Sequence, residues 1–120
     1  MNILLVDDND DVREITALLL RNSGYNVLEA SSGSAALDLL EVNSGINLLV
    51  VDFAMPKMSG TELIERVRVT HPRLRAMLIT GYDNHPQINK TIADEMVIRK
   101  PFTADQLIVT VRRALGQCEK

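Results

Sequence analysis

The stretch Leu48-Leu49-Val50-Val51-Asp52, followed by Phe53-Ala54-Met55-Pro56-Lys57-Met58-Ser59-Gly60, narrows the fold more than any other part of the chain. Leu48 to Val51 are too few to cross a membrane and too continuous for a strand with one wet face. They read as a strand buried on both sides, as in a parallel sheet covered by helices. Pro56 has no amide hydrogen to give to a ladder and Gly60 follows it, so the chain leaves the sheet just past Asp52. Asp52 therefore stands at the carboxyl end of a central strand, the edge at which open α/β sheets bind ligands.

The rest of the sequence alternates two patterns. Ile3 to Val6 reads as a strand; Asn9 or Asp10 then caps a helix with Val12, Ile15, Leu18 and Leu19 as its buried stripe, ended by Gly24. Asn26 to Ala30 is a second strand, followed by Ser32, Gly33 and a helix carrying Ala36, Leu37, Leu39 and Leu40 up to Asn43-Ser44-Gly45. After the Asp52 strand, Leu63, Ile64 and Val67 form a helix face ended by His71-Pro72, and Ala76 to Ile79 is the fourth strand. Pro86 to Asp94 is expected to be a weak helix, Met96 to Ile98 the fifth strand. Thr103 with Gln106 then makes a capping box for a helix bearing Leu107, Ile108, Val111, Ala114 and Leu115. The expectation is an α/β fold: a doubly wound, five-stranded parallel sheet with five helices, flavodoxin-like. Asn26 and Glu29 in strand two and Arg99 at the end of strand five mark those strands as edges, which suits the order 2-1-3-4-5.

With 120 residues, 46% of them apolar, the chain fits one globular domain over 1-120. A net charge of -3 gives no general attraction to nucleic acid or anionic lipid. No apolar run approaches the roughly 20 residues of a membrane span. The first ten residues, MNILLVDDND, lack the basic region of a secretory signal, and Cys118 has no partner for a disulfide. A cytoplasmic protein without direct nucleic-acid or membrane contact is expected.

In the order 2-1-3-4-5 the topological switch lies between strands one and three, whose ends carry Asp7, Asp8 and Asp52. Carboxylates converging in a partly desolvated cleft repel, and a hard divalent cation, Mg²⁺, is the natural compensation. Strand four ends in Thr80 and strand five in Arg99-Lys100-Pro101, so a hydroxyl and an ammonium reach the same edge. These parts suit phosphoryl acceptance. Asp52 is the nucleophile, Lys100 neutralises charge on the transferring group, and Thr80 hydrogen-bonds one of its oxygens.

Taken singly, each residue has a plainer explanation. Asp10 and Asp11 read best as a solvated acidic helix start favoured by the macrodipole. Lys100 alone is an ordinary surface lysine and Thr80 alone a turn residue. His71 and His85 have no ligand partners at metal-site spacing and read as exposed loop residues, and Met55 and Met58 are packing or loop residues. Only joint placement raises Asp7, Asp8, Asp52, Thr80 and Lys100 above these readings.

Over essentially its whole length the sequence resembles response-regulator receiver domains of two-component signalling. The match rests on Asp7-Asp8, Asp52 in VVDFAMPKMSG, Thr80 in LITG and Lys100 in RKPF. The phrases DFAMPKMSG and LITGY are most similar to receivers attached to sensor histidine kinases. The resemblance implies that Asp52 accepts a phosphoryl group from a histidine kinase or histidine phosphotransfer protein. It implies that Asp8, Asp52 and the Ala54 carbonyl bind Mg²⁺, with Asp7 helping through water, and that the Lys100-Pro101 bond is cis. Such a domain is not an enzyme toward other substrates; it catalyses only its own phosphorylation and dephosphorylation. In similar proteins the face of helix four, strand five and helix five changes on phosphorylation, engages partners and leaves room for a homodimer. One departure concerns that relay: an aromatic often stands three residues before the lysine, where this chain has Val97. The response expected here is instead a rearrangement or ordering of the segment from Asp83 to Asp94, with Tyr82 the nearest aromatic in sequence.

Rival functions fit less well. A flavodoxin-like cofactor binder needs a Ser/Thr/Gly-rich phosphate loop after strand one, where this chain has DDNDD. A phosphatase of the haloacid dehalogenase kind carries a second aspartate two residues past its nucleophile, and that position is Ala54. A phosphate-independent interaction module on the same fold remains the alternative.

Overall fold

The computed structural model describes residues 1–81 and 96–116. In chain order the elements are β1 (Asn2–Val6), α1 (Asp10–Asn22), β2 (Asn26–Ala30), α2 (Gly33–Val42), β3 (Leu48–Asp52), α3 (Gly60–Thr70), β4 (Arg75–Thr80), β5 (Val97–Arg99) and a last helix, Ala104–Ala114. The strands form one parallel sheet in the order β2-β1-β3-β4-β5, with β2 and β5 at the edges as expected. The helix expected between Pro86 and Asp94, together with Tyr82, His85 and Cys118, lies outside the described residues.

Side-chain alternation along the strands sorts the core onto two sides of the sheet. Ile3, Leu5, Leu48, Val50, Met77 and Ile79 face α1 and the last helix, meeting Ala17, Leu20, Leu107, Val111 and Ala114. Leu4, Val6, Leu49, Val51 and Leu78 face α2 and α3, meeting Ala36, Leu40, Leu63, Ile64 and Val67. Every residue of β3 is buried, which is why its sequence shows no polar alternation. Full burial of each such Leu or Val side chain is worth roughly 1.5–3 kcal/mol. The most buried strand is thus the one that presents Asp52.

Local signals set the helix ends. Asn9, rather than Asp10, caps α1, its side chain accepting from the Val12 amide at 3.0 Å. Ser32 caps α2 through the Ala35 amide. Ser59 and Glu62 form a capping box at α3, a signal the sequence reading passed over, and Thr103 and Gln106 form the expected one at the last helix. The expected stripe on α1 is corrected: Ile15 and Leu18 are 62% and 57% exposed, while Thr16, Ala17 and Leu20 are buried. Val12 is half-buried and Leu19 packs against the core, so the stripe fails only at Ile15 and Leu18; the inward face runs instead through Thr16, whose hydroxyl donates to the Val12 carbonyl at 2.8 Å.

Candidate functional site

The backbone brings Asp7, Asp52, Thr80 and Lys100 to one edge in successive steps. β1 and β3 pair with Val6 opposite Val51, so Asp7 and Asp52 follow side by side. Asp52 pairs with Ile79, and Thr80 with Arg99. The ladder continues past the strand ends, with the Phe53 amide donating to the Ile79 carbonyl and the Lys100 amide to the Thr80 carbonyl, both at 2.8 Å. Lys100-Pro101 is a cis peptide, as expected.

Carboxylate oxygens of Asp7, Asp8 and Asp52 lie within 4.8 Å of one another. Asp7 and Asp52 are buried and Asp8 is exposed, so the cluster opens to solvent on one side. Lys100 Nζ stands 3.2 Å from Asp52 Oδ1. Asp7 Oδ1 accepts from the Asn9 amide at 3.0 Å, so Asn9 both caps α1 and holds the neighbouring acid. Thr80 is buried at the end of β4, and the Ala54 residue is exposed just beyond β3. All of the residues singled out from sequence therefore share this edge.

Burial pushes the Asp52 carboxyl above its ordinary value, and the charge of Asp7 pushes the same way; the ammonium of Lys100 opposes both. Asp7 is also raised, chiefly by burial, against the Asn9 hydrogen bond and the charge of Lys100. Two partly desolvated acids facing each other with one shared ammonium are under-compensated. An oxygen-rich cluster with an open side fits Mg²⁺, which takes a few carboxylates and keeps several waters.

Other features do not compete. A cavity of about 530 Å³ lies at the opposite, amino-terminal edge of the sheet, bounded by His71, Arg73, Arg75 and Leu115, and among the described residues no carboxylate lines it. His71 is the C-cap residue of α3, its Nδ1 2.8 Å from Thr70 Oγ1. It is half-buried, where an exposed loop position was expected. Met55 and Met58 pack against the α2/α3 side of the core. Among the described residues no helix is long and apolar enough to cross a membrane.

Comparison with known proteins agrees with this fold. Residues 3–112 match the family described as the response regulator receiver domain. The sensor kinase CckA of Brucella abortus (strain 2308) is 36% identical over 116 residues, 94% of this chain but only 12% of that protein. The crystal structure of the receiver domain from the hybrid histidine kinase CckA superposes with a TM-score of 0.80 at 34% identity, covering 96% of this chain and 99% of that one. A CheY-like response regulator receiver domain protein from Methanospirillum hungatei JF-1 gives 0.86 at 29% identity, covering 97% and 94%. The chain belongs to the response regulator receiver domain family of two-component signalling.

Proposed function

We propose that this receiver domain takes a phosphoryl group onto Asp52 from the phosphohistidine of a histidine kinase or histidine phosphotransfer protein. The observation that carries the reading is the buried Asp52 carboxylate, 3.2 Å from Lys100 Nζ and clustered with Asp7 and Asp8 at the switch-point edge. An Asp52 oxygen attacks phosphorus, the bond from phosphorus to the donor imidazole nitrogen breaks, and its electron pair stays on that nitrogen. The product is an acyl phosphate on Asp52. Lys100 neutralises charge on the transferring oxygens, and the Thr80 hydroxyl donates to one of them. Asp7, Asp8, Asp52 and the Ala54 carbonyl would hold Mg²⁺, which supplies positive charge opposite the phosphoryl oxygens. Water attacks the phosphorus of the acyl phosphate, the bond from phosphorus to the Asp52 oxygen breaks, and inorganic phosphate leaves as the carboxylate is restored, so the domain catalyses only its own phosphorylation and dephosphorylation. Phosphohistidine donors are charged from ATP, which puts the reaction in the cytoplasm.

The test is incorporation of labelled phosphate from acetyl phosphate or a phosphohistidine protein, with Mg²⁺ and with chelator. Acid-stable, base-labile label on wild type and none on Asp52→Asn supports the reading. Equal label on both would place the acceptor elsewhere, and no label under any condition would favour the phosphate-independent interaction module.

A further inference from the structure

Arg13 lies on α1, outside the set of residues that would touch a phosphoryl group, yet its guanidinium is tied to the acidic loop. Its side chain is 14% exposed. Nη1 donates to the Asp7 backbone carbonyl at 2.9 Å and meets Asp10 Oδ1 at 2.8 Å. Nε donates to Glu29 Oε1 on β2 at 3.1 Å. Glu29 is itself fixed: its second oxygen accepts from Arg21 Nη1 at 3.2 Å, and Arg21 Nη2 donates to the Val27 carbonyl at 2.8 Å. The Asp7 amide donates to the Ala30 carbonyl at 3.1 Å. The two successive peptides that flank Asp7 and aim the Asp7 and Asp8 carboxylates are thus held, the first by β2 and the second by a guanidinium that β2 orients.

A charge acting by its presence alone and a charge acting as a clamp make opposite predictions. A cation beside an acid cluster repels an incoming Mg²⁺, so deleting it should strengthen metal binding. A clamp that fixes the cluster should, when deleted, weaken binding although no ligand has been removed. The fork geometry favours the clamp: one guanidinium spans a backbone carbonyl and two carboxylates, which a single ammonium cannot reproduce.

We propose that Arg13 is a positioning residue, held by Glu29, that fixes the Asp7 carbonyl and thereby the aim of the Asp7 and Asp8 carboxylates toward Asp52. The metal part of this inference rests on the function proposed above; the backbone part does not. The experiment compares wild type, Arg13→Gln and Arg13→Lys in the full chain. In metal-free protein, amide hydrogen exchange at Asp7 and Asn9 is expected to speed up about tenfold in Arg13→Gln, with amides of Met77 and Leu78 in β4 unchanged as the control for global stability. Mg²⁺ affinity, read by chemical-shift titration, is expected to fall about tenfold in Arg13→Gln and to fall also in Arg13→Lys, which keeps the charge and loses the fork. Unchanged exchange at Asp7 and Asn9, or a Mg²⁺ affinity that rises in Arg13→Gln, overturns the inference. If wild type binds no Mg²⁺, the proposed function loses its metal, and exchange in metal-free protein still decides on Arg13: faster exchange sustains the clamp and unchanged exchange refutes it.

Discussion

The α-carbon of Gly60 lies directly under the Asp52 carbonyl: a β-carbon placed there would meet that oxygen at 2.6 Å and the Phe53 α-carbon at 3.0 Å. The Gly60 amide also donates to the Phe53 carbonyl at 2.9 Å. The first residue of α3 is therefore pressed against the end of β3, and the loop between them closes around the candidate acceptor. Both contacts are backbone and cannot swing aside.

Gly60→Ala should accordingly cost roughly 1–3 kcal/mol, the usual range for overpacking a tight site. It should also slow labelling of Asp52 by acetyl phosphate, because relief requires the β3 end to move. Urea denaturation and the labelling rate measure the two effects. A stability loss below about half a kcal/mol would mean that the α3 start yields freely.

Lys57 offers the opposite case. It is an exposed non-glycine residue with φ of 70°, in the left-handed region that a side chain disfavours. Lys57→Gly should stabilise by roughly 0.5 kcal/mol, since removal of a left-handed penalty of about 1–2 kcal/mol is partly offset by the greater unfolded-chain entropy of glycine. Lys57→Val should destabilise by more. Denaturation midpoints that order the three proteins differently would show that the loop relaxes to another conformation.

Much of this arrangement is legible in the sequence because the sheet writes itself plainly. Unbroken apolar runs at β1, β3 and β4 mark buried parallel strands, and Asp7, Asp52 and Thr80 stand at or just past their carboxyl ends. The less legible parts depend on what crosses the molecule. On α1 the apolar pattern marks Val12 and Leu19 but not the rest of the inward face: Thr16 satisfies its hydroxyl within the helix, so its polarity does not predict exposure. The Arg13–Glu29 link joins residues 16 apart whose contact arises only when α1 packs against β2. Close approach at Gly60 is likewise a tertiary fact; the sequence shows only a glycine where a turn is expected.

Mg²⁺ should raise the thermal midpoint of the wild-type chain. Binding only to the folded cluster stabilises by mass action, about 1.4 kcal/mol at ten times the dissociation constant. The gain should be lost in Asp8→Asn and reduced in Asp7→Asn, with Ca²⁺ and chelator as controls. A midpoint indifferent to millimolar Mg²⁺ would remove the metal assignment while leaving the fold as described.

The raised carboxyls of Asp7 and Asp52 give a pH dependence of definite sign. A native carboxyl held above its unfolded value binds more protons than the unfolded one between the two values, so in that window stability falls as pH rises. Above the raised native value the penalty is complete; below the ordinary carboxyl range both states are protonated and it is gone. In metal-free protein, Asp52→Asn should therefore be more stable than wild type at neutral pH, and its advantage should shrink steadily on acidification. The lost ion pair with Lys100 does not reverse this, because burial together with the charge of Asp7 outweighs Lys100 in setting the native value. Thermal midpoints of the two proteins from neutral pH down into the carboxylate range, with chelator present, provide the check. An advantage that is absent at neutral pH, or that grows as the solution is acidified, would show that Lys100 alone compensates Asp52, and the site would then have no electrostatic need of a cation.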